Sequence, residues 1–100
     1  MIGLWLTQAA ELDLTAAFLW DDDQRAGLGR RFLVEVDRAF EHVAASPLRF
    51  PEVSTGHRRA LLRRFPYGVY FRAEETRAVV FAVLHLHRDP AIWRERLPDP

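Results

Sequence analysis

Residues 78–86, AVVFAVLHL, are apolar at every position except His85. A run this short, rich in valine and bounded by polar residues, reads as a strand rather than a helix. Side chains alternate between the two faces of a strand, so a continuous apolar run must be covered on both. The strand, placed over residues 77–86, is therefore expected inside a sheet. The rest of the chain has to supply its neighbours and a layer of cover. Residues 67–73 read as the strand before it, joined through the turn Glu74-Glu75-Thr76. Residues 58–64 read as a third strand, with Phe65-Pro66 at its end or at a bulge.

The cover comes from the first half of the chain. Residues 2–6 read as a short strand, followed by Thr7 as a helix N-cap. Over residues 8–26, Leu12, Ala16, Leu19 and Trp20 recur at helical spacing, which predicts an inward stripe. Asp21-Asp22-Asp23 falls where carboxylates oppose the helix dipole, so it is read as a frayed end or a solvated turn. Gly27 and Gly29 break the pattern, with Gly27 a candidate C′ residue. A second helix spans residues 28–45, with Phe32, Val36, Ala39, Phe40 and Val43 as its stripe, and ends at Ser46-Pro47. Residues 48–57 read as a loop. Residues 90–97 read as a helical turn or tail, in which Trp93 is placed as a lid on the core.

The predicted order is β-α-α-β-β-β. It describes one α+β domain over residues 1–100, a helical hairpin packed on a small, mainly antiparallel sheet. There is no cysteine, so disulfides, thiolate metal sites and thiol nucleophiles are excluded. No 18-residue apolar stretch and no cationic leader precede the first strand, so a cytoplasmic protein that does not cross a membrane is expected.

Charge is polarised along the chain. Residues 1–50 carry five arginines against eight acids, net −3; residues 51–100 carry nine against six, net +3. All 14 basic residues are arginine. Arginine stays protonated, so proton transfer would fall to histidine, carboxylate or tyrosine. Arg58, Arg59, Arg63, Arg64 and Arg72 occur with no acid among them and are interleaved with Phe65, Tyr67, Tyr70 and Phe71. That mixture suits flat or anionic surfaces of a macromolecule more than a small-molecule substrate. Strand alternation divides the set: Arg59 and Arg63 share one side, Arg58 and Arg64 the other. They form either a basic rim for a partner or a charged guard on an edge strand. Arg72 shares its face with Tyr70 and Gly68, a combination read as leaving backbone open to a partner. His85 and His87 lie two apart and, by parity, point to one face with Val79, Phe81 and Val83. They are read either as a catalytic pair or as local hydrogen-bonding groups at the strand end. Nothing in the spacing calls for a metal or other cofactor. Arg96 is expected to be solvated unless it is paired.

Several of these stretches resemble the RelE/ParE superfamily of bacterial type II toxins. The residues concerned are 10–14 through Trp20, Gly27-Leu28-Gly29-Arg30-Arg31-Phe32, Ser46-Pro47 followed by Phe50-Pro51, Arg64-Phe65-Pro66-Tyr67, Val69-Tyr70-Phe71-Arg72, and Ala82-Val83-Leu84-His85 leading to Arg88, Trp93 and Arg96. Their order and spacing cover nearly the whole chain. The resemblance implies a growth-inhibiting toxin of the plasmid-stabilisation kind, neutralised by a cognate antitoxin. It also implies one of two targets, DNA gyrase or mRNA on the ribosome. For the ribonuclease branch, the candidate catalytic residues are His85, His87, Arg72 and Arg88. For binding of target or antitoxin, they are Arg58, Arg59, Arg63, Arg64, Tyr67, Tyr70, Arg72, Arg88, Trp93 and Arg96. The ribonuclease branch's catalytic lysines have no counterpart here. Gly68 follows Tyr67 where that branch often has arginine, and Leu86 takes a position that is often basic. The resemblance therefore leans toward a gyrase-type or unassigned target, with a binding-only family member as a further alternative.

Overall fold

The computed structural model describes residues 1–98. The elements are β1 (Gly3–Leu6), α1 (Gln8–Gln24), α2 (Leu28–Ala45), β2 (Glu52–Ser54), β3 (His57–Leu61), β4 (Tyr67–Ala73), β5 (Arg77–His85) and α3 (Ala91–Arg94). The five strands form one sheet in the order β1-β5-β4-β3-β2. β1 runs parallel to β5, and the other pairs are antiparallel. The α+β hairpin-on-sheet architecture and the interior position of β5 follow the sequence reading.

Local chemistry explains the helix ends. The Thr7 hydroxyl accepts the Ala10 N–H at 3.2 Å and starts α1. α1 then stays helical through the three aspartates to Gln24, so the expected frayed end is not there. Asp21 is buried. Asp22 Oδ1 accepts the N–H groups of Gly27 and Gly29 at 2.9 and 3.2 Å and so caps α2 from the preceding helix. Gly27 has φ +89°, a left-handed backbone open to glycine. It serves as the N-cap of α2 rather than as the C′ residue of α1. At Gly29 the two helices touch: a Cβ there would stand 2.8 Å from the Phe18 ring and from its carbonyl oxygen.

Two further expectations are corrected. β2 lies within the segment read as loop, and at three residues it is too short to show an alternating pattern. The strand expected over residues 58–64 ends at Leu61. Arg63 and Arg64 lie in the turn to β4, where Arg64 takes φ +65°, so they do not alternate across a strand with Arg58 and Arg59.

Both sheet faces are covered, as the apolar run in β5 requires. Phe32, Val36 and Val43 of α2 bury against Val69, Phe71, Val80 and Val83 on one face. On the other, Tyr70, Phe81, Ala82 and Leu84 pack with Trp93 of α3. Trp93 stacks on Tyr70 with centroids 5.3 Å apart, the lid position expected of it. The inward stripe expected on α1 is reversed. Leu12, Leu19 and Trp20 are 63%, 60% and 61% exposed, while Ala10, Ala17 and Asp21 are buried.

A bulge sets which β5 residues face which core. Tyr70 pairs with Ala82 but Phe71 pairs with Val80, leaving Phe81 unopposed. Val83 therefore belongs to the helix-side core and Phe81 to the other. The parity that grouped Val79, Phe81 and Val83 with His85 does not survive it. β1 accompanies β5 only to Val80, whose carbonyl accepts the Thr7 N–H. Beyond that point two side chains replace the missing strand. Asp13 Oδ2 accepts the Val83 N–H at 3.0 Å, and Arg96 Nη1 donates to the Phe81 carbonyl at 3.0 Å. The two side chains also bind one another in a fork, at 2.6 and 3.1 Å.

Asp13→Ala is expected to cost about 2–3 kcal/mol of unfolding free energy in urea denaturation, because it strands a largely buried charge and a backbone donor. Adding Arg96→Ala to that variant should cost much less than Arg96→Ala does alone. Gly29→Ala should cost about 1–3 kcal/mol by pushing the helices apart at Phe18.

Candidate functional site

A cleft of about 460 Å³ opens between α1 and the far ends of β4 and β5. Ala16, Ala17 and Trp20 line it from α1, and Tyr67, Val83, Leu84, His85 and Arg88 from the sheet side. Tyr67 and His85 are cross-strand partners, with rings 5.2 Å apart and nearly perpendicular. The other side of the Tyr67 ring packs against Phe32. Burial pushes the Tyr67 hydroxyl's pKa up; the negative charge of Asp21 adds to this and Arg88 opposes it. Tyr67 thus keeps its proton and remains a donor at neutral pH.

His85 is held in one tautomer. Its Nδ1 accepts the His87 backbone N–H at 3.0 Å, so the ring proton of the neutral form sits on Nε2. The nitrogen lone pair a general base would use is already engaged. His87 lies beyond the strand in the following turn, its ring 5.0 Å from that of His85. This local hydrogen bond at the strand end, from His87 to His85, is the kind that the second of the two readings describes. Among the described residues, no three histidine, cysteine or carboxylate groups cluster as a metal site requires.

The expected catalytic set does not converge. Arg72 pairs with Val79 and Tyr67 with His85, so Arg72 lies five residues along β4 from the cleft, roughly 17 Å at strand rise. It is bound instead to Glu74 at 2.8 Å. Glu74 also takes Arg77 at 2.6 Å. Hydrogen bonds from Arg77 and then Arg72 hold its carboxyl below the ordinary range. Arg58 is a clamp for the β2 approach, donating to the Phe50 carbonyl at 2.6 Å and to Glu52 at 3.2 Å. Arg96 is paired with Asp13 rather than solvated. Tyr70 and Trp93 are buried against each other. Arg59 lies over the Tyr70 ring at 6.0 Å, and its side chain comes so close to Gly68 that a Cβ there would meet Arg59 Cδ at 2.9 Å. Gly68 is therefore covered, not open to a partner. Of the basic candidates, Arg63, Arg64 and Arg88 stand exposed without an ion pair among the described residues.

Sequence reasoning missed Asp21 and Trp20. Trp20 was placed in the core and stands at the cleft. Asp21 was placed in solvent. It is buried and lines a second cleft of about 650 Å³, which runs beside α2 with Arg31, Arg38 and Arg64 also on its lining. Its Oδ2 has no hydrogen-bond partner. Burial pushes its carboxyl pKa up, and His85 pulls it back. An inward turn of helix at 10, 14, 17 and 21 would have marked it, but the aspartate run hid that spacing.

A carboxyl with a raised folded pKa gives stability that is complete below its ordinary value of 3.8 and is lost as pH rises through the folded value. Asp21→Asn should therefore raise Tm near neutrality. The gain should vanish at about pH 3, where both states hold the proton. Thermal melts by circular dichroism at the two pH values check this.

No protein-family model matches the sequence, and no curated protein does. Among solved structures, the chain is similar to one from the chromosomal ParDE TA system of P. aeruginosa, with a TM-score of 0.75 and 17% sequence identity. The match covers 85% of this chain and 96% of that one. At this identity the likeness speaks for the fold. A helical hairpin on a five-stranded mixed sheet, matched over nearly the whole of a ParDE chain, makes this a RelE/ParE-like fold.

Proposed function

We propose that this chain is the toxin of a type II toxin–antitoxin pair, which inhibits growth by binding a core macromolecular target and is neutralised by a cognate antitoxin. The observation that carries the reading is the likeness to a ParDE chain over 96% of that chain's length. The α1 surface supports the partner. Leu12, Leu19 and Trp20 line up on its outer side, 63%, 60% and 61% exposed, as an apolar stripe along one helix. An amphipathic antitoxin segment laid along α1 would cover it.

Between the two kinds of target, the side-chain geometry favours binding of the gyrase type over cleavage of mRNA. Cleavage by 2′-OH attack needs a base, a cation and an acid around one phosphate. Here Arg72 and Arg96 are held by acids, Arg58 by carbonyls and Glu52, and the His85 lone pair by a backbone N–H. Exposed Arg63, Arg64 and Arg88 are free to bind a target surface.

Expression of the chain alone is expected to stop growth, and co-expression of the partner encoded beside it to restore growth. Continued growth with folded protein accumulating would leave only a binding module. In arrested cells, an SOS response, inhibition of purified gyrase and intact mRNA are expected; codon-linked mRNA cuts would reverse the choice of target. Leu12→Glu with Leu19→Glu should weaken antitoxin binding by at least about tenfold without lowering Tm, since both positions are exposed.

A further inference from the structure

The cleft between α1 and β5 is a small pocket set within the exposed basic surface, with a lining chemistry of its own. Its volume of about 460 Å³ lies within the usual range for small-ligand sites, and its floor is apolar, built by Ala16, Ala17, Val83 and Leu84. Its polar groups are nearly all donors. Arg88 has no ion pair among the described residues. His85 offers Nε2–H because Nδ1 is engaged, and Tyr67 offers a protonated hydroxyl. The acid in the lining, Asp13, is already committed to Arg96 and the Val83 N–H. Asp21 is not part of this lining; it lines the second cleft, and its charge reaches both Tyr67 and His85. Beside these donors, Trp20 presents an indole that is 61% exposed and packs in neither core.

We infer that this cleft binds a small ligand made of a flat aromatic body and a single anionic group. Arg88 and the His85 Nε2–H take the anion, with the Tyr67 hydroxyl as a third donor. The aromatic body lies over the alanine and leucine floor and stacks on Trp20. Among the described residues, Arg88 is the one arginine in the lining, and neither Arg63 nor Arg64 is part of it, so the cleft offers a place for one anionic group rather than for a run of phosphates. A carboxylate and a phosphate monoester both satisfy these donors, so the source of the anion is left to the measurement.

The experiment is calorimetric titration of the purified full chain with indole-3-acetate and with adenosine 5′-monophosphate, beside acetate, inorganic phosphate and indole as the separate halves. At least one two-part probe is expected to bind at least about tenfold more tightly than either of its halves. The preferred probe identifies the anion as carboxylate or phosphate ester. Arg88→Ala should weaken that binding by about tenfold or more. Trp20→Ala should weaken it about three- to tenfold. Arg30→Ala, on the exposed side of α2, should leave it unchanged. The inference fails if neither two-part probe exceeds its halves, if binding survives Arg88→Ala or Trp20→Ala in folded protein, or if Arg30→Ala weakens it equally. Growth arrest plays no part in this measurement, so toxin function and ligand binding stand or fall separately.

Discussion

The fork between Asp13 and Arg96 joins residues 83 positions apart and closes the stretch of β5 that β1 does not reach. β1 is only four residues long and leaves β5 at Val80. A buried strand edge without partners is costly, because each unmet N–H or C=O loses its water without replacement. Asp13 accepts from the Val83 N–H and Arg96 donates to the Phe81 carbonyl, so one ion pair stands in for two ladder bonds. The same pair holds α1 and the C-terminal tail against β5. The tail in turn brings Trp93 over Tyr70 and closes the second core. An interior strand with two buried faces is possible here because a helical hairpin covers one face and this tethered tail the other.

The bulge at Phe81 is coupled to that arrangement. By inserting one unopposed residue, it lets Val80 and Val83 both face the helices while Phe81, Ala82 and Leu84 face Trp93. Arg96 and Arg58 serve as structural clamps, Arg72 near the end of β4 is tied to Glu74, and of the basic candidates Arg63, Arg64 and Arg88 stand exposed in the loops at the opposite end of the sheet. The arginines of the sheet and its loops thus divide between structural clamps and a small exposed group at one end, rather than forming one continuous basic face.

Much of this architecture was legible in the residues. The apolar run in β5 demanded an interior strand. Gly27 and Ser46-Pro47 punctuated the helices where the backbone changes direction, and the stripe of Phe32, Val36 and Val43 reached the core as read. α1 misled for a definite reason. Its positions 10, 14 and 17 are apolar, and so are 12, 16, 19 and 20. A helix that is apolar on both sides has a period but no direction, and packing against α2 and β5 chose the alanine side, where small side chains let the helices approach. Asp21 was misplaced by the same ambiguity, since it falls on the inward side one turn beyond Ala17. β2 was too short to carry a pattern, and the bulge left no mark because Phe81 is as apolar as its neighbours.

By itself, then, the sequence determined the kinds of element, their order and the need for cover on both faces of β5, because these follow from hydrophobic periodicity and backbone chemistry within a few residues. Only the tertiary structure decided which side of α1 meets water, which arginines are bound by carboxylates and carbonyls, and that Trp20, Tyr67, His85 and Arg88 share one cleft. Those outcomes depend on contacts between residues far apart in the chain. The bulged residue in β5 likewise settles which core each side chain of that strand enters, and no local pattern of side chains records it.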